Sequence, residues 1–453
     1  MTETQGGAGV DPVAEDQTDS PVAVATQPET EEVIAAAVVS SAAASELMAN
    51  SLAEYARIWL RRARSGESGA LPVVVGLVGL VLYFQIRNSL FLSAGNLVNL
   101  MIQAAFIMTF GMAEVFVLLL GEIDLSVGYN AAMGGVITLW LLSLTHPVPL
   151  WLAVLAGLAF SGFYSGFQGL IVSWLRLPSF VVTLAGYLAG LGLLLYFINV
   201  AAPGSGGTIR LNNSVLLDIE GGSLSPLAGW IVMAAAVAVA GAFMLVRDTR
   251  RRANNLAAPP ISVTILKIAL MAAVGVAVVI VGNTNRGVGL TVLRGVPWVV
   301  VLLLAVLAAW TLLLGRTRFG RYVYAIGGNA EAARRAGVNL SRVRVLAFTL
   351  CGVTAGISGI IYSSYLTSMS NNFQGGQYVL YAVAAAVIGG TSLFGGRGRM
   401  VGAVLGGLVV GVIYNGLYLL GFGPAALNIW TALVLLAAVT VDAIARRGST
   451  AAR

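Results

Sequence analysis

Residues 97–128 read LVNLMIQAAFIMTFGMAEVFVLLLGEIDLSVG, and this stretch decides the fold. Its first part, 97–120, carries one charge, Glu114. About 20 apolar residues in an α-helix cross a bilayer core. The run then meets GEIDLSVG (121–128), where glycines and two acids, Glu122 and Asp124, break it before a further apolar run begins. A barrel strand would instead alternate over about ten residues. The stretch therefore reads as a membrane-spanning helix followed by a helix break.

Outward from it the pattern repeats. Apolar runs occupy 71–86, 126–145, 148–174, 179–200, 226–246, 261–281, 293–314, 343–366, 377–394, 401–421 and 425–445. With 97–120 they predict an all-α polytopic membrane protein of about 12 transmembrane helices (10–12). Gly and Pro interrupt several runs, so some segments are expected to be broken or re-entrant. Composition agrees: 58% of residues are hydrophobic and 10% charged, where a soluble domain carries about 25% charged residues.

The arginines test the order of the spans. Placing Arg57, Arg61, Arg62 and Arg64 in the cytoplasm puts every other Arg cluster there too. These are Arg176, Arg247 with Arg250–Arg252, Arg316 through Arg344, Arg397 with Arg399, and Arg446 with Arg447. The opposite side receives only Arg87, Arg210, Arg286 and Arg294. Positive charge accumulates on cytoplasmic loops. Both termini are therefore expected in the cytoplasm, with 71–445 as the transmembrane domain and 446–453 as a short tail. Residues 1–50 hold nine acids and no Lys or Arg, which predicts a disordered acidic tail. A basic pre-membrane helix follows over 51–70. The acidic start excludes a signal peptide.

The net charge of +7 does not point to nucleic acid, because no aromatic residues interleave with the basic ones as a stacking platform requires. The lone cysteine, Cys351, permits no intrachain disulfide. The lone histidine, His146, leaves no metal-ligand cluster. Ionisable groups within spans are costly and usually face a cavity or a partner. Glu114 lies on roughly the same helical face as Glu122, and Asp124 sits at the break. A proton or cation relay through these three fits, as does a structural or pathway-lining role. Asp442, near a helix end beside Arg446, is expected to snorkel or pair.

A second break echoes the first. GGTSLFGG (389–396) aligns Gly389 with Gly121, Leu393 with Leu125 and Gly396 with Gly128. Matching interruptions in two halves mark transport pathways, and chance in Gly- and Leu-rich sequence produces them too. Small residues at Gly162/Gly166, Gly352/Gly356, Gly402/Gly406 and Gly407/Gly411 predict close helix packing. The only lysine, Lys267, lies in ILKIA, so no P-loop exists. If ATP drives transport, a separate subunit hydrolyses it. The longest cytoplasmic loop, 315–342, carries GGN (327–329) and AEAARRAG (330–337), a short helix with a cap at either end. A docking helix for a partner and a solvated loop helix both fit.

Taken together these motifs resemble the ribose/xylose/galactose-type permeases of bacterial ABC sugar importers, over roughly 75–445. GEIDLSVG resembles that family's first signature, with Glu122 in place of a glycine. LPSFVVTLAG (177–186) also matches, YAIGGNAEAARRAGVNLSRVRVLAF (324–348) resembles its ATPase-contacting loop, and IGGTSLFGG (388–396) its third signature. The longer middle region, 247–300, is most similar to the D-xylose-type permeases. The resemblance implies the ABC importer permease fold and a homodimer in the bacterial plasma membrane. It also implies cytoplasmic ABC ATPase subunits and an extracytoplasmic sugar-binding protein. No cofactor is expected in this chain; ATP and Mg belong to the partner ATPase. It further implies that Gly327, Gly328, Asn329, Glu331, Ala332, Ala333, Arg334, Arg335 and Gly337 couple to that ATPase. Gly121, Glu122, Asp124, Ser126 and Gly128, with Gly389, Gly390, Thr391, Ser392, Gly395 and Gly396, would shape the pathway. The rival is an ion-coupled secondary transporter using Glu114, Glu122 and Asp124; a permease for another sugar or a nucleoside is a further alternative. A membrane enzyme fares worse, since no nucleophile–base pair is visible.

Overall fold

Proline and short polar side chains set where the helices begin. In a computed structural model the described residues are 71–423 apart from 145 and 288–290, with Arg57 and scattered positions between 425 and 440. Helices α1 (Leu71–Arg87), α2 (Ala94–Leu118), α3 (Val127–Ser143), α4 (Leu150–Leu175) and α5 (Ser179–Ala201) lead to strand β1 (Thr208–Arg210). Then come α6 (Ser214–Gly221), α7 (Pro226–Ala253), α8 (Ile261–Asn283) and α9 (Trp298–Arg316). The chain continues through α10 (Arg318–Gly328), α11 (Ala330–Arg335), α12 (Leu340–Tyr365), β2 (Ser368–Ser370), α13 (Gly375–Ile388) and α14 (Met400–Leu419). Pro149, Pro178, Pro260 and Pro297 stand just before α4, α5, α8 and α9, where a ring that breaks helix interiors is tolerated. Ser93, Asn213, Ser225, Thr317, Asn329 and Asn339 cap six other helices by accepting from the N–H three residues on.

Among the described residues, eight helices are long and apolar enough to cross a membrane: α2, α4, α5, α7, α8, α9, α12 and α14. The shorter apolar helices α1, α3 and α13 fall on three further predicted runs. Fewer full spans are therefore described than the ten to twelve expected. Run 126–145 is confined between the break at 121–126 and Pro147. Run 377–394 ends at Ile388 because Gly389 and Gly390 turn the chain, Gly390 at φ +86°. Run 293–314 starts late, at Trp298, behind Pro297. The run 425–445 lies mostly outside the described residues, as do the tails 1–50 and 446–453 and nearly all of 51–70. The all-α expectation also misses a small sheet: β1 and β2 pair antiparallel, Thr208 opposite Ser370.

Helix α2 is the centre, with 89% of its most apolar window buried, followed by α14 at 72% and α12 at 67%. The hairpin α7–α8 is peripheral, at 11% for each helix, and its members pack chiefly on each other. Glycines let the central backbones approach, as the sequence predicts. On α4, Gly162 and Gly166 face Thr349 of α12, and Gly169 faces Phe348. On α14, Gly407 packs on Met108 and Gly411 on Ala104 of α2. Outward-facing Trp174, Ile86 and Val239 stay exposed. In water so large an apolar surface would drive association; lipid solvates it.

Contacts between connections follow the arginine alternation. β1 and β2, and the bridge between Ser223 and Pro297, join loops assigned to the Arg-poor side. The breaks at 121 and 389 and the loop at 327 meet on the other.

Candidate functional site

The two breaks and the long Arg-rich loop form one junction made of backbone. Helix α2 ends at Leu118 and the chain turns through Gly121 at φ +75°. After α13 it turns again through Gly395 (φ +86°) and Gly396 (φ +73°), a conformation that favours glycine. The Gly396 N–H donates to the Leu119 carbonyl at 2.9 Å, joining the breaks directly. Gly327, near the end of α10, lies between them. A β-carbon there would collide with the Leu119 carbonyl oxygen and the Gly396 nitrogen. The Tyr324 hydroxyl, one turn earlier, donates to the Gly398 carbonyl at 2.9 Å.

Beyond Gly327 the loop projects. Asn329 caps α11 by accepting from the Ala332 N–H at 2.9 Å. Glu331 pairs with Arg334 at 2.8 Å and with Arg335 at 3.1 Å, and these hydrogen bonds hold its carboxyl below the usual range. Gly337 ends the turn at φ +83°. Gly328, Glu331, Ala332, Arg334 and Arg335 are exposed, whereas Ala333 is buried beneath the helix. The exposed face belongs to a short capped helix whose base, at Gly327, is joined to both breaks.

Asp124 fastens the first break to its neighbours. Its carboxylate accepts from the Ser126 N–H (2.9 Å) and hydroxyl (2.6 Å), and from Ser165 of α4 (2.9 Å). Cys351 of α12 adds a weak thiol contact at 3.8 Å. Gln168 donates to Ser126, and Asn130 to Ser165, both at 2.9 Å. Asp124, Ser126, Asn130 and Ser165 are fully buried. Glu122 instead lies 2.9 Å from Arg344 Nε at the start of α12, an ion pair without hydrogen-bond alignment. A double-mutant cycle on Glu122→Ala and Arg344→Ala is expected to give a coupling energy of about 1 kcal/mol. Strict additivity would remove the pair from the site.

The remaining motif residues pack the interior. A β-carbon on Gly128 would strike the Gly375 carbonyl at the start of α13, and one on Gly389 the Gly402 carbonyl of α14. Thr391 and Ser392 are buried within the second break. Glu114 is fully buried in α2, with no aligned hydrogen bond to its oxygens among the described residues, and lies close enough to Asp124 to feel its charge and backbone N–H. Of the three acids of the ion-coupled alternative, Glu122 is ion-paired with Arg344, whereas Glu114 and Asp124 lie near enough to act on each other and on Cys351.

Sequence reasoning passed over Glu220. It looks like an ordinary loop acid, yet at the end of α6 it is 4% exposed, with neither carboxylate oxygen partnered. Burial pushes its carboxyl up to about 9 from 4.5. The folded protein then keeps a proton that the unfolded chain releases above about 4.5. Stability is full below that pH and is lost as pH rises through about 9. Thermal melts of the detergent-solubilised protein should show the midpoint falling from pH 5 to 9. Glu220→Gln should flatten that slope; an identical slope in both would contradict the assignment.

A bundle of apolar helices with paired breaks and a projecting loop helix defines a polytopic membrane permease rather than an enzyme. The chain belongs to the family described as the permease component of branched-chain amino acid transport systems, whose pattern matches residues 96–442. It is 32% identical over 379 residues to the xylose transport system permease protein of Escherichia coli K12, covering 83% of this chain and 92% of that one. The Haemophilus influenzae protein of the same name is 34% identical over 376 residues, covering 82% and 95%. The ribose import permease protein of E. coli K12 is 28% identical over 389 residues, covering 86% and 95%. No solved structure gives a significant match.

Proposed function

We propose that this chain is the membrane-spanning subunit of an ATP-driven importer for a monosaccharide of the xylose or ribose class. One observation carries the mechanism: Gly327 seated between Leu119 and Gly396. Displacing α11 must displace both breaks, because no side chain intervenes to absorb the motion. An ABC ATPase, binding ATP and Mg, would dock on the exposed face of Gly328, Glu331, Ala332, Arg334 and Arg335. Its closure would tilt α10 and alternate access along a pathway bordered by α2, α12, α13 and α14. A second permease chain would complete the pore, and an extracytoplasmic binding protein would deliver the sugar.

In this reading α1, α3, α13 and the run 425–445 join the eight long helices as membrane segments. Both termini, the breaks and α11 lie in the cytoplasm of a bacterial cell; β1, β2 and α6 lie outside. The names of the relatives support the sugar class. The pairing of Glu122 with Arg344 weighs against a relay that needs all three of Glu114, Glu122 and Asp124.

The test is reconstitution into proteoliposomes with an ABC ATPase and a sugar-binding protein from the same organism. ATP-dependent uptake of D-xylose or D-ribose is expected, reduced when a bulky residue replaces Ala332 on the docking face. Uptake without any ATPase, driven by an ion gradient, would overturn the proposal.

A further inference from the structure

A cavity of about 190 Å³ opens where the first turns of α2 meet the end of α6 and the connection before α9. Its wall includes Gly95, Asn99, Glu220, Gly221 and Arg286. Glu220 lines it with both oxygens unpartnered. Arg286 is anchored through Nη1 to the Gly282 carbonyl and through Nη2, at 3.2 Å, to the Gly295 carbonyl. This fixes a cationic donor group in the lining of the same cavity as Glu220, and burial lowers its proton affinity too. Buried polar groups normally find partners, and here a carboxyl and an amide share one space with a guanidinium. A β-carbon on Gly95 or on Gly221 would meet nothing within 4 Å. The room between these walls is therefore not taken up by packing.

The occupant follows from the donor set. A cation is opposed by Arg286. Burial keeps Glu220 protonated; an anion, which only accepts, would leave the carbonyl oxygens of Glu220 and Asn99 without donors, and an amino acid zwitterion would bring an ammonium group against Arg286. A protonated carboxyl, an amide and a guanidinium together offer donors and acceptors to hydroxyl groups, each of which donates once and accepts twice. The volume is below the roughly 300–1,000 Å³ of drug-sized ligand sites and suits a single ring.

We propose that this cavity is a binding station for one neutral polyhydroxylated ring, a monosaccharide, gripped by Glu220, Asn99 and Arg286 on the Arg-poor side of the protein. The inference rests on the sugar-importer reading and deepens it. It places a substrate contact in the permease itself, partly in the middle region 247–300 that carries Arg286 and Leu293.

The test uses the full chain in nanodiscs without partners, probed by saturation-transfer difference NMR with D-xylose, D-ribose and L-leucine. At least one sugar should give a signal and leucine none. Glu220→Leu should lose that signal, and so should Gly95→Leu, which fills the space without disturbing a packed neighbour. Glu220→Gln, which keeps a donor and an acceptor, should retain most of it. Thermal melts establish that the variants are folded; were Glu220→Leu to misfold, Gly95→Leu decides alone. In the assembled importer, the same two variants should lower uptake roughly tenfold while the binding protein's sugar affinity and the docking of the ATPase stay unchanged. Signals that survive both blocking variants, or appear only with leucine, overturn the station. If wild-type importer moves sugar while the permease alone binds neither sugar, the station falls and the importer reading stands. If the wild-type assembly imports neither sugar, both fall.

Discussion

Gly327→Ala should reduce ATP-coupled uptake roughly tenfold or more and destabilise the protein by about 2–4 kcal/mol. The added methyl overlaps the Leu119 carbonyl and the Gly396 nitrogen at once. Both are backbone atoms, so no rotamer change relieves the clash. One loop must move, and the 2.9 Å hydrogen bond between Leu119 and Gly396 is lost with it. The control is the adjacent residue. A β-carbon on Gly328 meets nothing within 4 Å, so Gly328→Ala should keep uptake within about twofold and shift stability by under about 1 kcal/mol. Side-by-side proteoliposome uptake and thermal melts compare the two. Equal behaviour would mean that the junction does not transmit motion.

Asp124→Ala should lower stability by about 3 kcal/mol and sharply reduce the amount of protein in the membrane. The carboxylate collects donors from the first break, α4 and α12 within a region that excludes water. Ser165 and Ser126 can turn toward Asn130 and Gln168, but the Ser126 N–H has no substitute acceptor in sight. Asp124→Asn keeps the shape and one acceptor and should recover about half the loss. Denaturation monitored in nanodiscs checks both, and an unchanged midpoint for Asp124→Ala would remove the residue from the fold's supports.

The parts legible in the sequence are those governed by near neighbours. A run such as 97–120 announces a membrane helix because the bilayer demands a fixed apolar length. Gly407 and Gly411 announce close packing because one helical turn brings them to one face. Asp124 at the break reads as a structural or pathway-lining acid, and there its carboxylate takes the N–H of Ser126. Partners far apart in the chain were not readable. Nothing near Glu122 names Arg344, and nothing near Gly327 names Leu119 or Gly396. Ala333 reads as part of a docking face, but the placement of α11 turns it inward. Glu220 reads as a solvated acid because only the tertiary approach of α2, α6 and the loop before α9 removes its water.

The meeting of Leu119, Gly327 and Gly396 has a consequence for how such a machine wears and adapts. A joint built from side chains can be tuned by exchanging them, and it has play, because rotamers absorb small displacements. This joint has neither property. In the proposed importer it would work as a hinge pin without clearance, and it offers selection no gradual adjustment. Changes in the vigour of transport would then arise elsewhere, in the exposed face proposed to meet the ATPase or in the chamber proposed to receive the sugar.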